Sequence, residues 1–105
     1  MTTKGAIMRR ISLDASLISD WPSFQDVFAD LFNFPDYYGR NMNAWIDCMS
    51  DDNICAEAVL LEIRGTVDFK KRLPEIFDAL IDCTAFVNKR YSDEKEIHLY
   101  LGFVE

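Results

Sequence analysis

Histidine is nearly absent from this chain: His98 stands alone among 105 residues. A tetrahedral metal set draws on several His and Cys at short spacings. Here the three cysteines, Cys48, Cys55 and Cys83, include no CxxC pair, so no metal or other cofactor is expected. Their odd number also argues against a disulfide framework, which needs pairs and an oxidising compartment; they are expected as reduced thiols packed like small hydrophobes. Only four glycines are present and none sits in a Gly-rich run, so no loop is available to cradle a phosphate. No apolar run reaches the roughly 18 residues of a membrane span, and no membrane partner is expected. Lys4, Arg9 and Arg10 open the chain without an apolar stretch behind them; no secretory signal is read, and a cytoplasmic location is expected. Bases are scarce, 11 against 18 acids, for a formal charge of -7. A nucleic-acid binder shows the reverse balance, because Lys and Arg neutralise phosphates, so direct nucleic-acid binding is not expected. The acidity either keeps a small protein soluble or steers it toward a basic partner; charge alone leaves both open.

What the chain has in quantity is apolar material. Half of its residues are apolar and 13% are aromatic, enough to bury a core within a single domain over residues 1–105. Within Ala6 to Leu13, the residues Ile7, Arg9, Ile11 and Leu13 fall at period two and predict a half-buried strand. Asp20 ahead of Trp21-Pro22 predicts a cap with proline in the first turn. Phe24, Val27, Phe28, Leu31 and Phe32 then recur at three and four, an amphipathic helix that ends before Pro35. Pro35 and Gly39 break the chain into a short aromatic loop, and Asn41 is placed to cap a second helix from Met42 to Ser50. Val59 to Arg64 is short, apolar and β-branched, the pattern of a buried strand, and Gly65 ends it. Asp68 to Leu73 reads as a short third helix. Pro74 opens a fourth, with Ile76, Phe77, Leu80, Ile81, Thr84 and Val87 at helical spacing. Ile97, Leu99, Leu101 and Phe103 alternate with His98, Tyr100 and Gly102 as a closing strand. Helices between successive strands favour crossover connections. The expected fold class is α/β: a three-stranded parallel sheet flanked by helices, in the order β-α-α-β-α-α-β.

The second helix has two unlike stripes. Met42, Trp45 and Met49 share one that can face the core. Asn43, Ile46, Asp47 and Ser50 form the adjoining stripe, an amide, a large apolar group and a carboxylate together. That mixture suits an interface with a central anchor and hydrogen-bonding neighbours. Periodicity equally allows a wide apolar face with Ile46 buried and Asp47 merely solvated.

Pro35-Asp36-Tyr37-Tyr38-Gly39-Arg40-Asn41, followed by Ala44, Asp47 and Cys48, resembles the signature of the barstar family, a Pro-acid-Tyr-Tyr-Gly-x-Asn loop leading into an inhibitory helix. Val59-Leu60-Leu61-Glu62-Ile63-Arg64 resembles that family's central strand, acid and arginine in step. With the element order and length, the resemblance covers most of the chain. It implies a protein that catalyses nothing and inhibits a basic ribonuclease, blocking the active site with an acidic and aromatic loop-helix. The implied partner is a basic ribonuclease of extracellular or toxin type, bound 1:1 by a monomer, with the chain acting as a bacterial immunity protein in a toxin-antitoxin arrangement. The alternative is a barstar-like interaction module for some other basic protein. The partner-binding set implied is Tyr37, Tyr38, Gly39, Asn41, Asn43, Ile46, Asp47, Ser50 and Asp51. Asp47 matches the family's principal anchor, which sits where an RNA phosphate would. A carboxylate held on a rigid helix suits that task, since it accepts paired hydrogen bonds from arginine. Tyr37 matches the residue that packs over the enzyme's catalytic histidine, while Tyr38 is expected to prop the loop from behind. Gly39 would permit a close approach or a positive φ, Asn41 is cap-like, and Ala44 and Cys48 match inward-packing positions.

The chain departs from the family's type member at several of these places. Asn43 replaces a second carboxylate and Ile46 a large aromatic, with Trp45 moved to the core-facing neighbour. Arg40 replaces an acid, Asp51-Asp52 stand near a lost aromatic, and Asn88 corresponds to a contributing acid. Fewer carboxylates weaken or retune the electrostatic match to a nuclease. No enzyme site competes with this reading. His98 is read as a strand histidine, and Asp51 and Asp52 as a solvated turn. Cys48 and Asp47 are adjacent on a helix, so their side chains point apart and form no nucleophile-base pair.

Overall fold

The protein is described by a computed structural model over residues 8–51, 53–54, 58–91 and 99–105. Eight elements follow in order: β1 (Met8–Asp14), a 3-10 turn (Ala15–Leu17), α1 (Trp21–Phe32), α2 (Met42–Met49), β2 (Ala58–Arg64), α3 (Thr66–Arg72), α4 (Pro74–Tyr91) and β3 (Leu99–Val104). The strands form one parallel sheet with β2 in the centre. Ile11 pairs with Leu61 and Leu61 with Leu101, and Leu13 with Ile63 and Ile63 with Phe103. The expected α/β architecture is therefore present, with one addition. The 3-10 turn after β1 had no periodic signal, because it is made by local side-chain chemistry: Asp14 accepts from the Ser16 backbone at 3.0 Å and from its hydroxyl at 2.7 Å.

Burial of β2 is one-sided. Val59, Leu61 and Ile63 are buried, whereas Leu60 and Glu62 are half-buried and Arg64 is exposed. Alternate residues of a strand face opposite ways, and across the sheet Ser12, Glu62 and Gly102 share the other face with Arg10, Leu60 and Tyr100. Arg10 meets Glu62 there at 3.5 Å. A continuous apolar run reads as a strand covered on both faces; this one is sealed on one.

The helices begin where their caps dictate. Asp20 accepts from the Ser23 backbone at 2.9 Å while the Asp20 backbone donates to Ser23 Oγ at 3.0 Å, a reciprocal box that satisfies two otherwise orphaned groups. The Ser23 backbone donor first, and the Ser23 hydroxyl second, hold the Asp20 carboxyl below its ordinary range. Asn33 ends α1 in the left-handed region. Gly65, at φ +77°, turns β2 directly into α3, and a side chain there would be strained. Arg72 reaches back from α3 to the Ile18 carbonyl at 3.1 Å and the Ala15 carbonyl at 3.2 Å, pinning the 3-10 turn to the helical layer. The core beneath is aromatic: Trp45 packs edge-on to Phe28 with ring centroids 5.5 Å apart, and Phe24 lies 4.7 Å from Phe28. No helix among the described residues is long and apolar enough to cross a membrane. Ala6, Ile7, Asp52, Cys55, Ile97 and His98 lie outside the described residues.

Candidate functional site

The segment between α1 and α2 is a braced turn. The Tyr38 backbone donates to the Pro35 carbonyl at 2.9 Å. The Tyr38 ring is buried 4.7 Å from Phe34, and its hydroxyl donates to Gln25, itself buried on α1. Burial pushes the Tyr38 hydroxyl up to about 12, so it stays protonated and a donor. Tyr38 thus supports the loop from behind. Tyr37, one residue earlier, is 79% exposed.

The positive φ that the sequence offered to Gly39 falls on Arg40, at +58°. A Cβ on Gly39 would meet Ala44 Cβ and Asn41 Nδ2 at 3.4 Å, the edge of ordinary van der Waals contact, so the position is snug without being closed to a side chain. Arg40 is held in its uncommon conformation by contacts to α1, an ion pair with Asp26 at 2.7 Å and a hydrogen bond to the Pro22 carbonyl at 3.2 Å. A basic residue in place of the family's acid therefore ties the loop to its own domain.

Asn41 then starts α2. Its Oδ1 accepts from the Ala44 backbone at 2.8 Å, and its Nδ2 donates to the Gly39 carbonyl at 3.3 Å, so one side chain caps the helix and closes the loop. The stripes of α2 separate as their chemistry requires. Trp45 and Met49 are fully buried and Met42 half-buried. Cys48 is also buried, which raises its thiol pKa, with Asp51 and Asp47 adding to the shift; the thiolate is disfavoured and the residue packs as a hydrophobe. Ala44 is half-buried. On the other stripe Asn43 and Asp47 are exposed, while Ile46 and Ser50 are half-buried.

Asp47 keeps 70% of its side chain in solvent and is paired at 3.0 Å with Arg90 of α4. The same Arg90 nitrogen donates to Ser50 Oγ at 3.1 Å, and Ser50 Oγ also bonds the Ile46 carbonyl. Asp51 shapes the turn after the helix: it accepts from the Asn53 backbone at 2.8 Å, and its carbonyl accepts from Ile54 at 2.9 Å. Asn88 is engaged with the sheet, exchanging bonds of 2.9 and 2.8 Å with the Leu99 backbone, so it holds α4 to β3.

Three residues of α4 escaped sequence reasoning. Phe86, Lys89 and Arg90 join Asn43 and Ile46 around an open groove of about 560 Å³. Phe86 is 58% exposed. Its signal was legible: it is the large apolar residue of α4 that falls off the stripe of Ile76, Phe77, Leu80, Ile81, Thr84 and Val87. Among the described residues no cluster of His, Cys, Asp or Glu is arranged to hold a metal.

Fold and surface together define a small parallel α/β protein that presents a capped, outward-facing loop-helix on a one-sided core. The chain belongs to the barstar family: the family described as Barstar (barnase inhibitor) matches residues 8–102. A curated protein of Bacillus subtilis (strain 168), named "Putative ribonuclease inhibitor YrdF", is 40% identical over 43 residues, which is 41% of this chain and 47% of that protein. The match thus spans about half the length of the relative.

Proposed function

We propose that this protein inhibits a basic ribonuclease by inserting Tyr37 and α2 into its substrate cleft, with Asp47 in place of an RNA phosphate. The observation that carries the reading is the exposure of Tyr37 and Asp47 on a segment that Tyr38, Arg40 and Asn41 brace from within the domain. Family membership supplies the partner class, and the relative from Bacillus subtilis is named for ribonuclease inhibition. A rigid presentation lowers the ordering cost of binding, and a net charge of -7 speeds encounter with a basic enzyme. In this reading the chain is a non-catalytic monomer, works in the cytoplasm in a 1:1 complex, and protects its producer against a toxic nuclease. Tyr37, Asn43, Ile46 and Asp47 would meet the enzyme; Tyr38, Gly39, Asn41, Ser50 and Asp51 would set their geometry.

Titration into an RNA-cleavage assay, using the nuclease encoded beside this gene and a panel of basic microbial ribonucleases, tests the reading. We predict inhibition that weakens by about 2 kcal/mol or more in Asp47→Ala, as buried interface anchors do, and association that slows with salt. An Asp47→Ala variant, folded and as potent as wild type, would remove the phosphate-mimic role. Asn43 and Ile46, standing where the family's type member has an acid and a large aromatic, leave room for a second reading, a module for another basic protein; in that case no ribonuclease would be inhibited by the wild-type chain.

A further inference from the structure

The carboxylate placed to meet a nuclease is already occupied in the free protein. Arg90 Nη1 donates to Asp47 Oδ1 at 3.0 Å and to Ser50 Oγ at 3.1 Å. We propose that Arg90 is a specificity-determining residue, which holds Asp47 in an intramolecular ion pair so that a ribonuclease binds by exchanging its own phosphate-site cation for this one. The inference rests on the reading of Asp47 as the phosphate mimic.

Geometry makes the pair exchangeable. One guanidinium nitrogen meets one carboxylate oxygen, whereas a fork-to-fork arrangement would use two of each and is stronger. Both partners keep more than half of their side chains in solvent, 54% for Arg90 and 70% for Asp47, where water and salt screen the attraction. A partner arginine that addressed both carboxylate oxygens in a water-poor cleft would win the competition.

After exchange the guanidinium does not leave the neighbourhood. Arg90 sits in the last turn of α4, where the helix dipole favours a cation. There it rims the groove beside Asn43, Ile46, Phe86 and Lys89. A cleft offering only positive charge would meet a like charge next to Asp47. A cleft that also carries a carboxylate within reach would find a partner for the displaced arginine. Arg90 therefore filters nucleases by the anion beside their phosphate-binding cations, using an attraction and a repulsion at one spot.

The test measures inhibition constants of the full chain against barnase and a panel of basic microbial ribonucleases, with thermal melts confirming the fold of each variant. We expect Arg90→Ala to inhibit three- to fivefold more tightly than wild type, about the size of an exposed pair, and to gain least against enzymes that supply an anion. Arg90→Lys should stay near wild type. Lys71→Ala removes the same charge from α3 and should gain less. In the Asp47→Ala background, removal of Arg90 should bring no gain. The inference is overturned if Arg90→Ala binds no better than wild type, if its gain survives without Asp47, or if Lys71→Ala matches it. Should wild type and all variants fail to inhibit every enzyme, the ribonuclease reading falls and this inference with it. Inhibition by wild type with no gain in Arg90→Ala sinks the inference alone.

Discussion

Tyr37 and Tyr38 are neighbours in the chain and opposites in circumstance. Tyr38 is 8% exposed, stacks obliquely on Phe34 and donates to Gln25. Tyr37 is 79% exposed, and among the described residues no hydrogen bond or ring contact holds it. A buried tyrosine with a partner for its hydroxyl explains itself through the fold. An exposed one on a braced loop has apolar surface that only a second molecule can cover. The same division runs along α2, where Trp45 is sealed in the core and Asp47 stands in solvent two residues on. Residues bound into the core and residues left in solvent interleave, and the second group is where a partner has most to gain.

The hardest test of that division is Trp45→Ala. The indole is fully buried between Phe24 and Phe28, with ring centroids 6.5 and 5.5 Å away. Its removal leaves a cavity and should cost about 3–5 kcal/mol of stability. Asp47→Ala gives up one exposed ion pair, a loss of about 0–1 kcal/mol. Urea unfolding of both variants checks the contrast. Comparable shifts in midpoint would mean that α2 is not two-faced in the way described.

Much of this is legible in the sequence. The period of Phe24, Val27, Phe28, Leu31 and Phe32 located α1, and Asp20 and Asn41 marked two helix starts, because capping chemistry is local and residue-specific. The segment Ala15–Leu17 was not legible, since an Asp-Ser hydrogen bond leaves no hydrophobic period. The one-sided burial of β2 was hidden for another reason: Leu60 puts an apolar residue on the face that also carries Glu62 and Arg64, so the strand opens as the unbroken apolar run Val59-Leu60-Leu61. At the site, residues 37 to 47 carried their own signal within a dozen positions. Arg90 did not, because its meeting with Asp47 spans 43 positions of sequence and depends on how α2 and α4 pack.

A finer test uses the tyrosines themselves. Tyr38→Phe keeps the ring but leaves buried Gln25 without its donor, and we predict a loss of about 1–3 kcal/mol in chemical denaturation. Tyr37→Ala should alter stability by less than about 0.5 kcal/mol, yet weaken nuclease binding by more than about 1 kcal/mol. Alkaline pH tests Tyr38 again. Because Tyr38 titrates at about 12 when folded, above the ordinary tyrosine value near ~10, the unfolded chain releases that proton first. The stabilising term is present in full below the lower value and disappears as pH climbs through the higher one. Tyr38→Phe should flatten that part of the stability profile. A profile unchanged by Tyr38→Phe would show that its hydroxyl is not held in the interior.

The smallest effect probes the joint between the two classes. Asn41 is exposed, so its contribution comes through hydrogen bonds to the Ala44 backbone and the Gly39 carbonyl. Asn41→Ala should cost about 1 kcal/mol of stability, the usual loss for a cap. Asn41→Asp should restore most of it, because a carboxylate accepts from the same backbone donor and suits the positive end of the helix. Helix α2 is only eight residues long, so a frayed first turn would loosen Asn43 directly and Asp47 one turn on. Binding by Asn41→Ala should therefore fall, with most of the loss in the dissociation rate, and Asn41→Asp should recover it. Equal defects in the two variants would mean that Asn41 contacts the partner through its own amide and that the cap is incidental.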